Sequence, residues 1–240
     1  MSMSNLARMW AMADRTDLAE GMVAYDRYNI VMRRISKKYD FPLDAVCAVF
    51  VSLSPNSDYV GNLRSTVSVL SGIREHKPDG DIVVSTYGHC KTRAIAYARG
   101  DRNFLQETKG PKILNFYHNI LKPHSWKHVT IDGHMVAIWR GDDKATMKDS
   151  IIHRREYDLI AEAVKRFAFY HFIIPNQMQA ILWFVRKRVL NVKYSAQLDM
   201  LSASDDAWRT LRSVDEIMPY SRAEGRKMDA ENAFKQESFL

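Results

Sequence analysis

Three short segments carry side chains whose types and spacing suit chemistry. Thr108-Lys109-Gly110-Pro111-Lys112 is a tight turn that hands a lysine to the first turn of the element behind it. Counting 20 residues on from Lys112, the run Val129-Thr130-Ile131-Asp132-Gly133-His134 brings an extended apolar stretch to an acid. Ser52-Leu53-Ser54-Pro55-Asn56-Ser57-Asp58-Tyr59 is polar and turn-forming at the end of an apolar run. A lysine so placed is a cation for an anionic group or, as the free amine, a nucleophile. A carboxylate at the start of a helix can stabilise positive charge that develops beside it. Each segment also has an ordinary structural reading: Asp132 as the N-cap of the next helix, the lysine as a solvated charge, Ser-Pro-Asn as a loop.

The elements that must hold these residues are helical. Val23, Arg27, Ile30, Val31 and Arg34 sit on a segment without Gly or Pro, and Leu43 to Leu53 is an almost continuous apolar stretch that reads as a buried helix. Leu63, Val67 and Leu70 recur at helical spacing. Thr92 to Tyr97 favours helix and Gly100 ends it, while Pro111 opens a further helix and Pro123 closes it. Met135 to Trp139 follows Asp132 as a helix, and two amphipathic stripes complete the body. One is Tyr157, Ile160, Ala161, Val164, Phe167 and Ala168; the other is Met178, Ile181, Leu182 and Val185. Ile82 to Val84 is too short to carry a sheet, so the predicted fold class is mainly α.

Composition narrows the function classes. The chain has 240 residues, 35 Lys+Arg against 28 Asp+Glu, a net charge of +7, and 46% hydrophobic residues, the balance of a folded globular protein. The charge is uneven: residues 191–240 carry 7 basic and 9 acidic side chains, leaving 28 against 19, or +9, on residues 1–190. That excess points to a polyanionic partner. Arg33-Arg34 with Lys37-Lys38, Arg154-Arg155 and Arg186-Lys187-Arg188 are the basic clusters. No apolar run approaches the ~20 residues of a membrane span, and the start lacks a secretory pattern, so a cytoplasmic protein with no membrane contact is expected. Cys47 and Cys90 are too few for a four-cysteine metal or iron–sulfur site. His124 and His128 are four apart but lack a neighbouring carboxylate, and phosphate-loop, dinucleotide and zinc-hydrolase motifs are missing, so no metal, cofactor or nucleotide is expected. The body is expected to span residues 1–219, with a polar tail at 220–240.

Taken in chain order, the three segments resemble the helix-hairpin-helix (HhH-GPD) superfamily of DNA glycosylases, typified by endonuclease III, over roughly residues 45–188. Gly110, Pro111 and Lys112 match the end of the family's hairpin pattern Leu-Pro-Gly-Val-Gly-x-Lys, with Thr108 where its first glycine would stand and Lys109 between. Asp132 and His134 match the aspartate and histidine of its Val-Asp-Thr-His motif. Asn56 matches the polar residue after its Leu-Ser-x turn, and Tyr87 to Arg99 is similar to the segment that precedes the hairpin.

The resemblance implies two helical lobes flanking a DNA cleft, one built from about residues 55–140 and the other from the N- and C-terminal helices. It implies a DNA glycosylase with possible abasic-site lyase activity, acting on duplex DNA that contains a damaged or modified base, near the nucleoid if the source is a bacterium or its phage. Lys112 and Asp132 would be catalytic, and Thr108, Lys109, Gly110, Pro111 and His134 would hold the strand. Asn56 would fill the gap left by the extruded base, at a cost of a few kcal/mol for unstacking. Tyr59 and Trp139 would line the base pocket, whereas Trp183 lies in an apolar helix and reads as core. Two alternatives remain open at this point: a non-catalytic DNA-binding protein on the same fold, and a helical module for an acidic protein partner.

Overall fold

Capping residues cut the chain into helices where the sequence supplies them. The computed structural model describes residues 3–55, 57–142 and 152–189. Asn56, the expected body limit near 219 and the tail at 220–240 lie outside the described residues. Among the described residues there are ten α-helices and no strand. After α1 (Met3–Ala11), Asp14 caps α2 (Arg15–Tyr39) in a reciprocal box: its carboxylate accepts the Thr16 and Asp17 amides at 2.9 Å, and its own amide reaches the Asp17 carboxylate at 3.1 Å. The helix α3 (Leu43–Ser52) is buried almost throughout, and Asp58 caps α4 (Tyr59–Arg74) by accepting the Gly61 amide at 2.7 Å. Gly100, left-handed at φ 78°, ends α5 (Gly88–Arg99) as its lack of a Cβ allows. The short α6 (Phe104–Glu107) then turns into α7 (Pro111–Leu121), which proline opens at its first position. Last come α8 (Gly133–Arg140), α9 (Arg154–Tyr170) and α10 (Pro175–Val189). No described helix is long and apolar enough to cross a membrane.

The helices enclose two apolar cores. One gathers Val31, Met32 and Ile35 of α2, the apolar face of α3, Leu63 and Leu70 of α4, and residues of α5, α6 and α7. The other gathers Leu6 and Met9 of α1 with α8, α9 and the segment Val129 to Ile131. This division differs from the expected lobe at 55–140. The first core begins within α2, and α8 belongs to the second because Met135, Val136 and Ile138 pack on α1 and α9 rather than on the hairpin helices.

Both cores share two helices. On α10, Ala180 and Phe184 enter the first core while Met178, Ile181, Leu182 and Val185 enter the second, so this helix is buried all round. On α2, Leu18 and Met22 pack against the second core and the later turns build the first. The two helices cross closely at Gly21, which is buried against Ile181.

A stacked histidine pair sits where α7 ends. The rings of His118 and His128 lie 4.2 Å apart, and His128 Nδ1 donates to the Asn115 side-chain oxygen at 3.1 Å. Burial and surrounding positive charge hold both below the ordinary imidazole pKa, His128 at about 4. A histidine with a depressed folded pKa is protonated first in the unfolded chain. Its contribution is therefore complete above its unfolded pKa of about 6.5 and is lost as pH falls toward 4. Urea denaturation should show lower stability at pH 4.5 than at pH 7.5, and His128→Gln should shrink that difference. An unchanged pH dependence in the variant would refute the assignment.

Candidate functional site

The turn that presents Lys112 is built from capping and aromatic packing. Asn103 caps α6 by accepting the Gln106 amide at 3.1 Å, and Phe104 anchors α6 between Tyr97 and Tyr117, with ring centroids 5.4 and 4.7 Å away. Thr108 closes α6, its amide bonded to the Phe104 carbonyl at 3.0 Å. Lys109 folds back, its Nζ donating to the Gln106 carbonyl at 2.8 Å. Gly110 is the N-cap of α7 with open space where a Cβ would stand, so a ligand can approach its backbone, and Pro111 and Lys112 form the first turn. Lys112 is exposed.

Asp132 is placed by the other half of the same construction. Its Oδ1 accepts the Met135 amide at 3.0 Å, so it is the N-cap of α8. The segment before it is held by the Tyr157 hydroxyl of α9, which accepts from the Ile131 amide at 3.2 Å and from Asn115 Nδ2 at 3.0 Å. The same hydroxyl lies 3.1 Å from the Val129 carbonyl and 3.3 Å from that of Pro111. One oxygen thus ties the turn carrying Lys112 to the strand-like run carrying Asp132. Tyr157→Phe would orphan the buried Ile131 amide, at about 1–3 kcal/mol, while Asn115 Nδ2 keeps the Pro111 carbonyl at 3.0 Å. We expect a melting temperature several degrees lower; one within 1 °C of the native value would refute the role.

An array of tyrosines packs around Tyr28. Tyr25 donates to Gln179 Oε1 at 2.8 Å inside the protein. Tyr28 packs edge-on against Tyr59 at 5.1 Å and Phe116 at 5.7 Å, with Phe50 at 5.8 Å. Burial first, and the Asp132 charge among further causes, raise the phenol pKa values of Tyr25, Tyr28 and Tyr157. The Asp132 carboxylate therefore acts on all three rings.

His134 is a correction to the expected strand contact. It is only 3% exposed, and its Nδ1 lies 3.0 Å from Nη1 of Arg186, itself 2% exposed. Guanidinium only donates, so Nδ1 is the acceptor and the imidazole proton sits on Nε2. Burial pushes the His134 pKa down, Asp132 raises it, and Arg186, Lys187 and Lys112 lower it. Lys112 and Asp132 thus both act on one imidazole, Lys112 the more weakly. Arg186 Nη2 is buried with no hydrogen-bond partner among the described residues.

Each cation of the run at 186–188 is engaged by the protein's own side chains, and only the first of them is interior. Arg186 is interior, Lys187 Nζ lies 4.4 Å from the Trp183 ring centroid, and Arg188 pairs with Asp17 at 2.5 Å and Asp14 at 3.1 Å. Trp183 is half-buried against the first core and 5.3 Å from His134, so it borders that imidazole. Tyr59 packs on Tyr28, which feels the Asp132 charge. Trp139 does neither: it packs on the second core, where its carbonyl accepts from Asn5 at 2.9 Å. Among the described residues no three His, Cys, Asp or Glu side chains gather to hold a metal, and His124 instead pairs with Asp26 at 3.0 Å. Residues that sequence reasoning missed are Tyr25, Tyr28 and Arg186. The available signal for Arg186 was a cation one turn after Leu182, directly behind the apolar run Ala180 to Val185.

Residues 1–190 match the model of a family of unknown function (DUF7178). No curated protein and no solved structure matches the chain.

Proposed function

We propose that the chain, which belongs to the DUF7178 family, is a DNA glycosylase that releases a damaged or modified base from duplex DNA and cleaves the resulting abasic strand. The observation that carries this reading is the pair Lys112 and Asp132, both acting on His134 beside the same Tyr157 hydroxyl. The open backbone at Gly110 and the N-terminus of α7 suit a phosphate, which fixes a strand without reading its sequence.

In the reaction, the free amine of Lys112 forms a bond to C1′ of the sugar as the glycosidic bond breaks. The bonding pair leaves with the base, which takes up a proton. Asp132 stabilises the positive charge that develops on the sugar. Ring opening gives a Schiff base; loss of a C2′ proton and departure of the 3′ phosphate then cut the strand. Arg186 supports this by fixing the His134 tautomer beside Asp132, and a buried guanidinium with an orphaned nitrogen is costly enough to need such a reason.

Incubation with duplexes bearing a panel of modified bases under borohydride tests the reading. A covalent adduct that Lys112→Gln abolishes is expected, and no adduct with no base release across the panel would overturn it. A second reading, a DNA-binding protein without catalysis, is favoured by Thr108 in place of the hairpin glycine and by the folded-back Lys109. It predicts salt-dependent duplex binding and no base release.

A further inference from the structure

We propose that the surface around Trp126, at the far end of α7 from Lys112, is a binding site for single-stranded DNA. Ten residues separate Lys112 from Lys122, about 15 Å at the ~1.5 Å helical rise, so the two sites use opposite ends of one helix.

Exposed aromatic rings are the first element of the argument. Trp126 is 48% exposed, Phe169 65% and Tyr170 64%, and with Pro175 they line a depression of about 330 Å³. Beside them Phe172 is 70% exposed and left-handed at φ 55°, a conformation a bulky residue adopts only at a cost. Burial repays none of that cost at Phe172, so the turn between α9 and α10 holds aromatic rings outward.

Cations are the second. Lys165 and Arg166 line the same depression, against Glu162 as its one acid. Lys122, Lys127 and Lys165 all act on the His128 ring. None of these four cations forms an ion pair among the described residues, so their charge is free for an outside anion. Rings interleaved with cations are what a single strand uses: bases stack on the rings at about 1–3 kcal/mol each and phosphates meet the lysines. A duplex keeps its bases stacked on each other and offers the rings little. The choice of DNA over RNA rests on the glycosylase reading; the surface does not.

Titration of the full chain with a ten-nucleotide oligothymidylate, read by tryptophan fluorescence, tests the proposal. Quenching is expected, lost in Trp126→Phe, with affinity falling at least tenfold in Lys165→Glu/Arg166→Glu and with rising salt. Asp132→Asn should quench as the native chain does, and unchanged circular dichroism melts confirm that the variants fold. Three results would overturn it: no quenching at low salt, equal quenching in Trp126→Phe, or a tenfold preference for oligouridylate. Self-association removed by Phe169→Ser/Tyr170→Ser would assign the surface to a second copy instead. Quenching with neither borohydride trapping nor base release would sink only the glycosylase reading, and trapping without quenching only this one.

Discussion

Asp132→Asn should release base about 10³-fold more slowly than the native chain while melting at the same temperature. The two halves of that expectation separate catalysis from capping. Asparagine caps a helix as well as aspartate does, so the bond to the Met135 amide survives and α8 stays in place. What disappears is the negative charge, and with it the stabilisation of the sugar cation. Asp132→Ala removes both, so it should lose base release and also about 1 kcal/mol of stability. Rates from single-turnover assays and melts from circular dichroism decide the matter. Base release within tenfold of native for Asp132→Asn, at equal stability, would reduce Asp132 to a cap and remove the catalytic reading.

Gly21→Val should prevent folding, and Gly21→Ala should cost about 3 kcal/mol, near the top of the range for overpacking. A Cβ at Gly21 would stand 2.5 Å from the Ile181 amide nitrogen and 2.6 Å from its Cα. The obstruction is backbone, which cannot swing aside as a side-chain tip can. Alanine's better helix propensity returns less than about 1 kcal/mol. At about 2–4 °C per kcal/mol for a domain of this size, the alanine variant should melt roughly 6–12 °C lower. A shift under 2 °C would mean that the helices separate easily and that the close crossing carries little of the stability.

Local chemistry made much of this architecture legible in advance. Gly100 and Pro111 mark helix ends because their backbone constraints act within a few residues, and Asp132 announces a cap for the same reason. What stayed hidden was convergence. Tyr25 and Tyr157 feel the Asp132 charge and Arg186 bonds His134 two residues on, from three different helices, and no spacing within one helix encodes that arrangement. Tyr157 reads from the sequence as one more apolar position on the α9 stripe, although its hydroxyl turns out to be the junction. The sharing of α10 by two cores was also hidden, because its apolar residues from Met178 to Val185 read in sequence as one stripe. Charge was the least readable feature: the run at 186–188 counts as three cations, yet Arg186 is interior and Arg188 is paired with two aspartates.

The Arg188 pairings have a mechanical meaning. Besides both aspartates, its Nη2 donates to the Met12 carbonyl at 2.6 Å, so the last turn of α10 is buckled to the loop before α2. The segment that leads into α2 and the end of α10 are therefore fastened side by side. Tension applied at those ends would load the buckle and then shear α2 along α10. Force entering through α1 instead would load the second core at once, because Leu6 and Met9 are part of it.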